Sequence, residues 1–514
     1  MLPASFGKIF SYSVDGSIYA QPLYLPNVFI PGKGIHNVIY VATMKDSVYA
    51  FDADSNSGAN AAPLWQVNFT NPAAGITAVP VDSTVQPYDQ NIEGTIGILS
   101  TPVIDQSTNT MYLVARTKEN GQYVQRMHAL DVMTGAEKLG GPITIQATIA
   151  GTAYDSVNGQ MTFNPLRENQ RSGLALANGI VYMAWGSHDD YDPYHGWVMA
   201  YNASNLQQIG AFSTTPDGAR GGVWQSGQPP AIDTNGNLFF SSGNGDWNGV
   251  RNFGTSVFKL STAVTSVIDW FTPDDYDYLN NNDLDLGVSG VLLLPNSNLM
   301  LTGSKTGDVY LLRQDNLGHM QTGNSQIPQI VHAAAGHIHG SPVYWNSPSL
   351  GPLIYLWGET DYLKAFRFNG ATLAASPIMT SMVAAAPGMP GGILSVSANG
   401  TTPGSGIVWA SLPLTGDAED AIVPGILRAF DAGDLTKELW NSTLNLSRDD
   451  VGNFGKFSPP TIANGKVYMA SFSNRLNVYG FLNANSDFVL QTTPTAFAAT
   501  LSSSVNFSVN VTYV

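Results

Sequence analysis

Between Asn37 and Ala53 apolar and polar positions alternate in two short runs separated by Lys45-Asp46. Successive side chains of an extended chain point to opposite sides, so Val38, Tyr40 and Ala42 share one face of the first run and Ile39, Val41 and Thr43 the other. The second run sets Val48, Ala50 and Asp52 opposite Tyr49 and Phe51. Two such runs joined by a tight polar turn predict a β-hairpin, and two largely apolar faces require a cover on each side. The pattern returns at 111–115 with 127–131, 180–184 with 198–202, 238–242 with 256–260, 299–303 with 309–312, 354–358 with 363–366, 407–411 with 427–431, and 467–471 with 476–480. That makes eight hairpins at intervals of roughly 55 to 70 residues, a spacing that suits propeller blades with long loops.

A short strand precedes each hairpin and opens on a small residue or proline, as in Gln21-Pro22-Leu23-Tyr24, Thr101-Pro102-Val103-Ile104, Ser289-Gly290-Val291-Leu292 and Ser341-Pro342-Val343-Tyr344. Innermost strands crowd around a central channel, which gives small side chains a packing reason. An outer strand follows most hairpins, for example at Leu64-Trp65-Gln66-Val67 and Glu438-Leu439-Trp440. The last hairpin lacks one, while Ser5 to Tyr12 is a strand without a blade. The expectation is an all-β, eight-bladed propeller of four-stranded antiparallel blades over residues 1–485, closed by its N-terminal strand so that no sheet edge is left open. Residues 486–514 alternate again and predict a short β-rich C-terminal tail that packs on the propeller, begins an immunoglobulin-like module or supports self-association.

Ala50-Phe51-Asp52-Ala53 through Trp65, Ala129-Leu130-Asp131-Val132-Met133-Thr134-Gly135, and Ala429-Phe430-Asp431-Ala432 through Trp440 resemble the Ala-x-Asp-x-x-x-Gly-x-x-x-Trp repeat of PQQ-like β-propellers. That family includes quinoprotein alcohol dehydrogenases and non-enzymatic assembly or scaffold propellers, so the resemblance implies the architecture and leaves catalysis open. Two departures bear on the enzymatic branch. The adjacent cysteine pair of many quinoprotein dehydrogenases is impossible in a chain without cysteine, and the repeat tryptophan survives clearly only at Trp65 and Trp440.

Composition narrows the partners. A formal net charge of -16 argues against nucleic acid and anionic membrane surfaces, which demand clustered Lys and Arg. No apolar run reaches membrane-spanning length. Charged residues are 12% of the chain, against 52 Gly and 30 Pro, as suits many strands and turns. Together with the resemblance, the low charge favours a secreted or periplasmic protein whose leader has been removed.

Three stretches depart from the repeat. Residues 71–98 carry Asp82, Asp89 and Glu93 in a segment long enough to be functional or mobile. Gly186 to Trp197, inside the third hairpin, holds His188, Asp189, Asp190, Asp192 and His195. Thr272 to Asp285 holds Asp274, Asp275, Asp277, Asp283 and Asp285. Their carboxylates are hard ligands of the kind calcium takes, or else solvated acidic loops. His337 and His339, two apart on an expected strand, would point the same way and with His188, His195 and the nearby His332 could bind zinc or copper; the alternative is hydrogen-bonded structural histidines.

The residues just before the inner strands, Glu93, Arg171, Trp224 with Gln225, Asp285, His339 and Lys456, should gather at one end of the channel. Arg171 and Trp224 are candidate cofactor contacts there, since a quinone needs a cation near its carbonyls and an aromatic face. Asp246 and Trp247 join them as the kit for stacking on and bonding to a sugar, or as ordinary turn chemistry. No nucleophile elbow, phosphate-binding loop or zinc-protease helix is present. Two functions follow: a binding or scaffold propeller that offers one channel mouth to a protein, small molecule or glycan, or a PQQ- and calcium-dependent dehydrogenase. A histidine-metal oxidase or hydrolase is a third.

Overall fold

In the computed structural model, residues 5–86 and 92–482 are described in full, and the strands Phe488–Thr493 and Ser508–Tyr513 by their backbone. Eight antiparallel blades, seven of four strands and one enlarged to six, build the propeller between Phe6 and Phe481. Blade 1 runs outward through Leu23–Ile30, Gly34–Ala42, Ser47–Asp52 and Trp65–Asn68, and blades 2 to 7 repeat that meander. Blade 8 takes its inner three strands, Thr461–Ala463, Lys466–Met469 and Arg475–Phe481, from the end of the propeller and its outermost, Phe6–Ser13, from the start. Phe6 lies opposite Phe481 and Ser13 opposite Arg475, so the predicted closure is present. Among the described residues no helix is long and apolar enough to cross a membrane.

The two apolar faces of each hairpin find their covers in the neighbouring blades. Tyr112, Val114, Met127 and Ala129 of blade 2 pack against Val181, Met183, Trp185 and Trp197 of blade 3. Equivalent clusters fill the other interfaces, including that between blade 8 and blade 1, where Tyr468 and Val478 meet Ile39, Val41 and Phe51. The tyrosine in the second strand of the repeat has a further task. Tyr40, Tyr112, Tyr182, Tyr355 and Tyr468 are buried, and each hydroxyl donates to a backbone carbonyl of the next blade, at Val132, Ala203, Thr262, Ala432 and Ala53. A buried hydroxyl without a partner would cost about 1–3 kcal/mol, so this contact fixes how each blade seats on the next.

Sequence patterning missed one extension. The second hairpin continues to a turn at Asn120-Gly121, with strands Thr110–Glu119 and Gln122–Asp131, and the first long insertion folds back on it as Ile76–Pro80. Asp89, in the same insertion, lies outside the described residues. Phe488–Thr493 pairs with Ser508–Tyr513 as a separate two-stranded sheet. Residues 483–487 and 494–507 of the tail lie outside the described residues.

Candidate functional site

Two kinds of loop meet at one end of the channel: the segments leading into the innermost strands, and the turns joining the second strand of a blade to the third. They enclose a cavity of about 210 Å³. Tyr19, Leu99, Arg171, Trp224, Asp285, His339, Met389 and Lys456 reach it from the first kind, one ahead of each blade. His188, Asp189 and Asp190 of blade 3, Lys305 of blade 5 and Glu419 of blade 7 reach it from the second. Every blade therefore contributes to one wall.

Arg171 is the cation at the centre. Its guanidinium carbon lies 4.1 Å from the centroid of the Phe457 ring and 5.6 Å from that of Trp224, and it makes no hydrogen bond among the described residues. Burial pulls its pKa down to about 10, with Asp189 and Asp285 acting the other way. Trp224 is wedged in place. A Cβ on Gly186 would stand 2.6 Å from its six-membered ring and one on Gly243 2.4 Å from its indole nitrogen, so only glycine at both positions lets the backbone come that close.

His188 is buried with Nε2 against the Arg116 guanidinium. Arginine can only donate, so Nε2 accepts, the proton sits on Nδ1, and Nδ1 has no partner. Burial, then the Arg116 charge, holds this imidazole well below its ordinary pKa. Two hydrogen-bonding groups beside the cavity, the guanidinium and the buried Nδ1–H, thus have no acceptor among the described residues.

The acidic side chains are arranged differently. Lys305 Nζ bridges Asp283 Oδ2 at 2.9 Å and Asp285 Oδ2 at 2.8 Å. Burial alone would lower the Lys305 pKa, but the two carboxylates raise it. Asp190 accepts from the Tyr194 hydroxyl, and burial raises its pKa to about 6. Lys456 donates to the Glu419 carbonyl at 2.6 Å and is pulled down to about 8, first by burial and then by the charge on Arg171.

The expected site residues separate into groups. Arg171, Trp224, His188, Asp189, Asp190 and His339 line the cavity. Asp192 pairs with Arg220 at 2.9 Å. His195 has both ring nitrogens engaged, by Thr215 Oγ1 and Asp155 Oδ1 at 3.1 Å each. Asp246 Oδ2 accepts the Ala219 N–H at 2.9 Å, and Trp247 packs on Trp270 and Tyr276 while donating to Thr272; neither reaches the cavity. Glu93 is exposed, and Gln225 is buried with its amide on the Gln228 carbonyl. In the third acidic stretch Asp274 accepts from Gly323 and Asn324, so it too has internal partners.

His337 and His339 sit in the loop ahead of blade 6, not on a strand, yet their rings approach within 5.7 Å. Between them stands Glu359, from the turn joining the second and third strands of the same blade. Among the described residues, these three are the one group of His, Asp or Glu whose potential ligand atoms all lie within 4.8 Å of one another. Sequence reasoning missed Glu359, Lys305 and Glu419 for one reason: the hairpin turns at this end face the same channel mouth as the segments before the inner strands. The signal was available as a charged residue just after the apolar run in Trp357-Gly358-Glu359 and in Gly303-Ser304-Lys305.

No protein-family model matches the sequence, and no curated protein does. Among solved structures, the chain is similar over 94% of its length to a quinohemoprotein alcohol dehydrogenase from Pseudomonas putida HK5, at 12% identity, 78% of that chain and a TM-score of 0.55. A quinohemoprotein alcohol dehydrogenase from Comamonas testosteroni matches 93% of the chain at 12% identity, 77% of its own length and a TM-score of 0.50. BamB from Moraxella catarrhalis matches 93% of the chain at 10% identity over its whole length, with a TM-score of 0.49. At these identities what the chain shares with them is the propeller fold.

Proposed function

We propose that the protein is an extracytoplasmic binding propeller whose channel mouth takes a small polar ligand bearing a carboxylate and several hydroxyls, of which a sugar acid is the simplest representative. The observation that carries this reading is Arg171, a guanidinium seated on Phe457 and Trp224 inside a closed ring of blades, with no hydrogen-bond acceptor among the described residues. Arginine recognises carboxylates with two parallel hydrogen bonds, and the His188 Nδ1–H offers a further donor. The carboxylates of Asp189, Asp190 and Asp283 around the same cavity suit hydroxyl donors. The extracytoplasmic placement draws on a sequence in which only 12% of residues are charged.

The dehydrogenase alternative asks for an open aromatic face on which a planar quinone stacks. Trp224 is 8% exposed, held between Gly186 and Gly243, with the Arg171 guanidinium beside its ring. The aromatic group therefore supports the cation more than it offers a platform, and this stacking requirement does not fit. In the acidic loops Asp283 and Asp285 hold Lys305, Asp192 holds Arg220, Asp190 accepts from Tyr194 and Asp274 accepts a backbone amide, so much of their charge is already matched inside the protein.

Titration of the protein with glucuronate, galacturonate and neutral glucose, followed by calorimetry and tryptophan fluorescence, tests the reading. The acids should bind and glucose should not, and Arg171→Ala should weaken acid binding by roughly tenfold to a hundredfold, the worth of a charge-assisted hydrogen bond of about 1.5–3 kcal/mol. Equal affinity in Arg171→Ala, with the fold intact by circular dichroism, would sink it.

A pH series gives a second check. Lys456 carries its charge below about pH 8 in the folded chain, so affinity for the acid should fall as pH rises through 8 while Arg171 remains charged. Stability should move the opposite way for this group. Between about pH 8 and 10.5 the unfolded chain holds a proton that the folded chain has lost, and stability therefore gains with pH in that window. Replacing Lys456 with Met should flatten both profiles; an affinity profile unchanged in that variant would count against the assignment.

A further inference from the structure

We propose that His337, His339 and Glu359 form a binding site for a divalent cation of the zinc class at the rim of the channel mouth. Glu359 Oε1 lies 2.8 Å from His339 Nε2, and Glu359 Oε2 lies 3.4 Å from His337 Nδ1. The shorter contact is close enough for a hydrogen bond but out of line for one: neither His339 Nε2 nor Glu359 Oε1 has a hydrogen-bond partner, although both are buried. Leaving such atoms unpaired costs about 1–3 kcal/mol each, and lone pairs that converge without a proton between them are what a metal ion accepts. Ligand atoms around a four-coordinate ion with bonds of about 2.0–2.2 Å stand roughly 3–3.6 Å apart, and the three ligand atoms here, all within 4.8 Å of one another, reach that by side-chain rotation that draws them together.

The backbone holds the three groups in register. The Glu359 N–H donates to the His337 carbonyl at 2.9 Å, joining the loop ahead of blade 6 to its hairpin turn. Between the histidines, Ile338 is fully buried in the interface of blades 5 and 6, and its N–H donates to the Ser304 carbonyl at 3.1 Å. His339 is 1% exposed and His337 39% exposed, so a bound ion would have a buried side toward the cavity and a side open to solvent.

Two imidazoles and one carboxylate suit borderline cations such as zinc or copper and leave a coordination position for an oxygen donor. The fixed positive charges that act most strongly on His339 are Lys305 and Arg171. Lys305 is bridged by Asp283 and Asp285, which leaves Arg171 as the cation whose charge the site must bear.

The inference goes beyond the ligand reading and is tested without any organic ligand. Protein stripped with a chelator is titrated with zinc chloride by calorimetry, and cobalt(II) is added in parallel to read the coordination geometry from its visible spectrum. The expected result is a single ion per chain with a tetrahedral cobalt band, and binding at least about tenfold weaker in both His337→Ala and Glu359→Gln. His337 is exposed enough that its removal leaves the fold intact, and the cobalt spectrum needs no variant. Absence of stoichiometric zinc uptake, an octahedral aquo-type cobalt spectrum, or unchanged affinity in the two variants would each overturn the assignment.

Discussion

A chain lacking residues 1–13 is expected to lose its cooperative thermal transition and to elute as aggregate in size-exclusion chromatography. The strand Phe6–Ser13 is the fourth strand of blade 8 and pairs along Arg475–Phe481. Phe6 is 3% exposed and meets Trp440, Trp409 and Phe481 at ring separations of 5.1, 5.6 and 5.9 Å, and Tyr12 stacks on Phe51 of blade 1 at 4.1 Å while its hydroxyl donates to the Asp52 carbonyl. Withdrawing two buried aromatics forfeits about 2–3 kcal/mol each, and the lost ladder adds about 1 kcal/mol per hydrogen bond. Together these approach the whole stability of a typical domain, about 5–15 kcal/mol. The exposed edge of Arg475–Phe481 then becomes a template for other chains. Phe6→Ala isolates the packing part and should cost about 3–5 kcal/mol in urea unfolding. A truncated chain that melts within a few degrees of the full one would show that the closure is dispensable.

The second large effect is expected at Lys305. Its ammonium neutralises Asp285, whose side chain is 7% exposed, and Asp283, whose side chain is 65% exposed. Lys305→Met keeps the stem and removes the charge, leaving Asp285 with the Asn244 N–H on Oδ1 at 2.7 Å and, among the described residues, no partner on Oδ2. Breaking a buried pair from one side costs about 3–5 kcal/mol, because the remaining carboxylate is an uncompensated charge. Asp283, in contact with solvent, contributes little. Adding Asp285→Asn to Lys305→Met should recover most of the loss, and the double-mutant cycle measures the coupling. A single variant as stable as the parent, or a double variant no better than the single, would contradict this account.

The fold was legible because its grammar is local. Tyr40, Tyr112, Tyr182, Tyr355 and Tyr468 recur at one place in an alternating strand, and the residues that surround them are apolar on both faces, which only a stack of sheets can bury. The unpaired Phe6–Ser13 and the blade without an outer strand identified each other for the same reason. At the channel mouth, Arg171, Trp224, Asp285, His339 and Lys456 could be named from their place ahead of the inner strands. Glu359 and Lys305 also stand just after apolar runs, but placing their turns at that end requires following the alternation of up and down strands through a whole blade. Asp246 and Trp247 show the converse limit. Both occupy a turn at the correct end, but Trp247 finds Trp270 and Tyr276 beside it and turns away from the cavity. Composition gives no hint of such local competition.

The pairing of Phe6 with Phe481 also sets a clock. The first strand leaves the ribosome about 470 residues before its partner exists, and at roughly 5–20 residues per second that is a wait of about 25–90 s. During that interval seven blades can stack on one another, but the strand Phe6–Ser13 has no partner strand and the ring stays open. The sealing step therefore waits until Phe481 has been made, and the eighth blade is the one whose assembly is most exposed to capture by a neighbour.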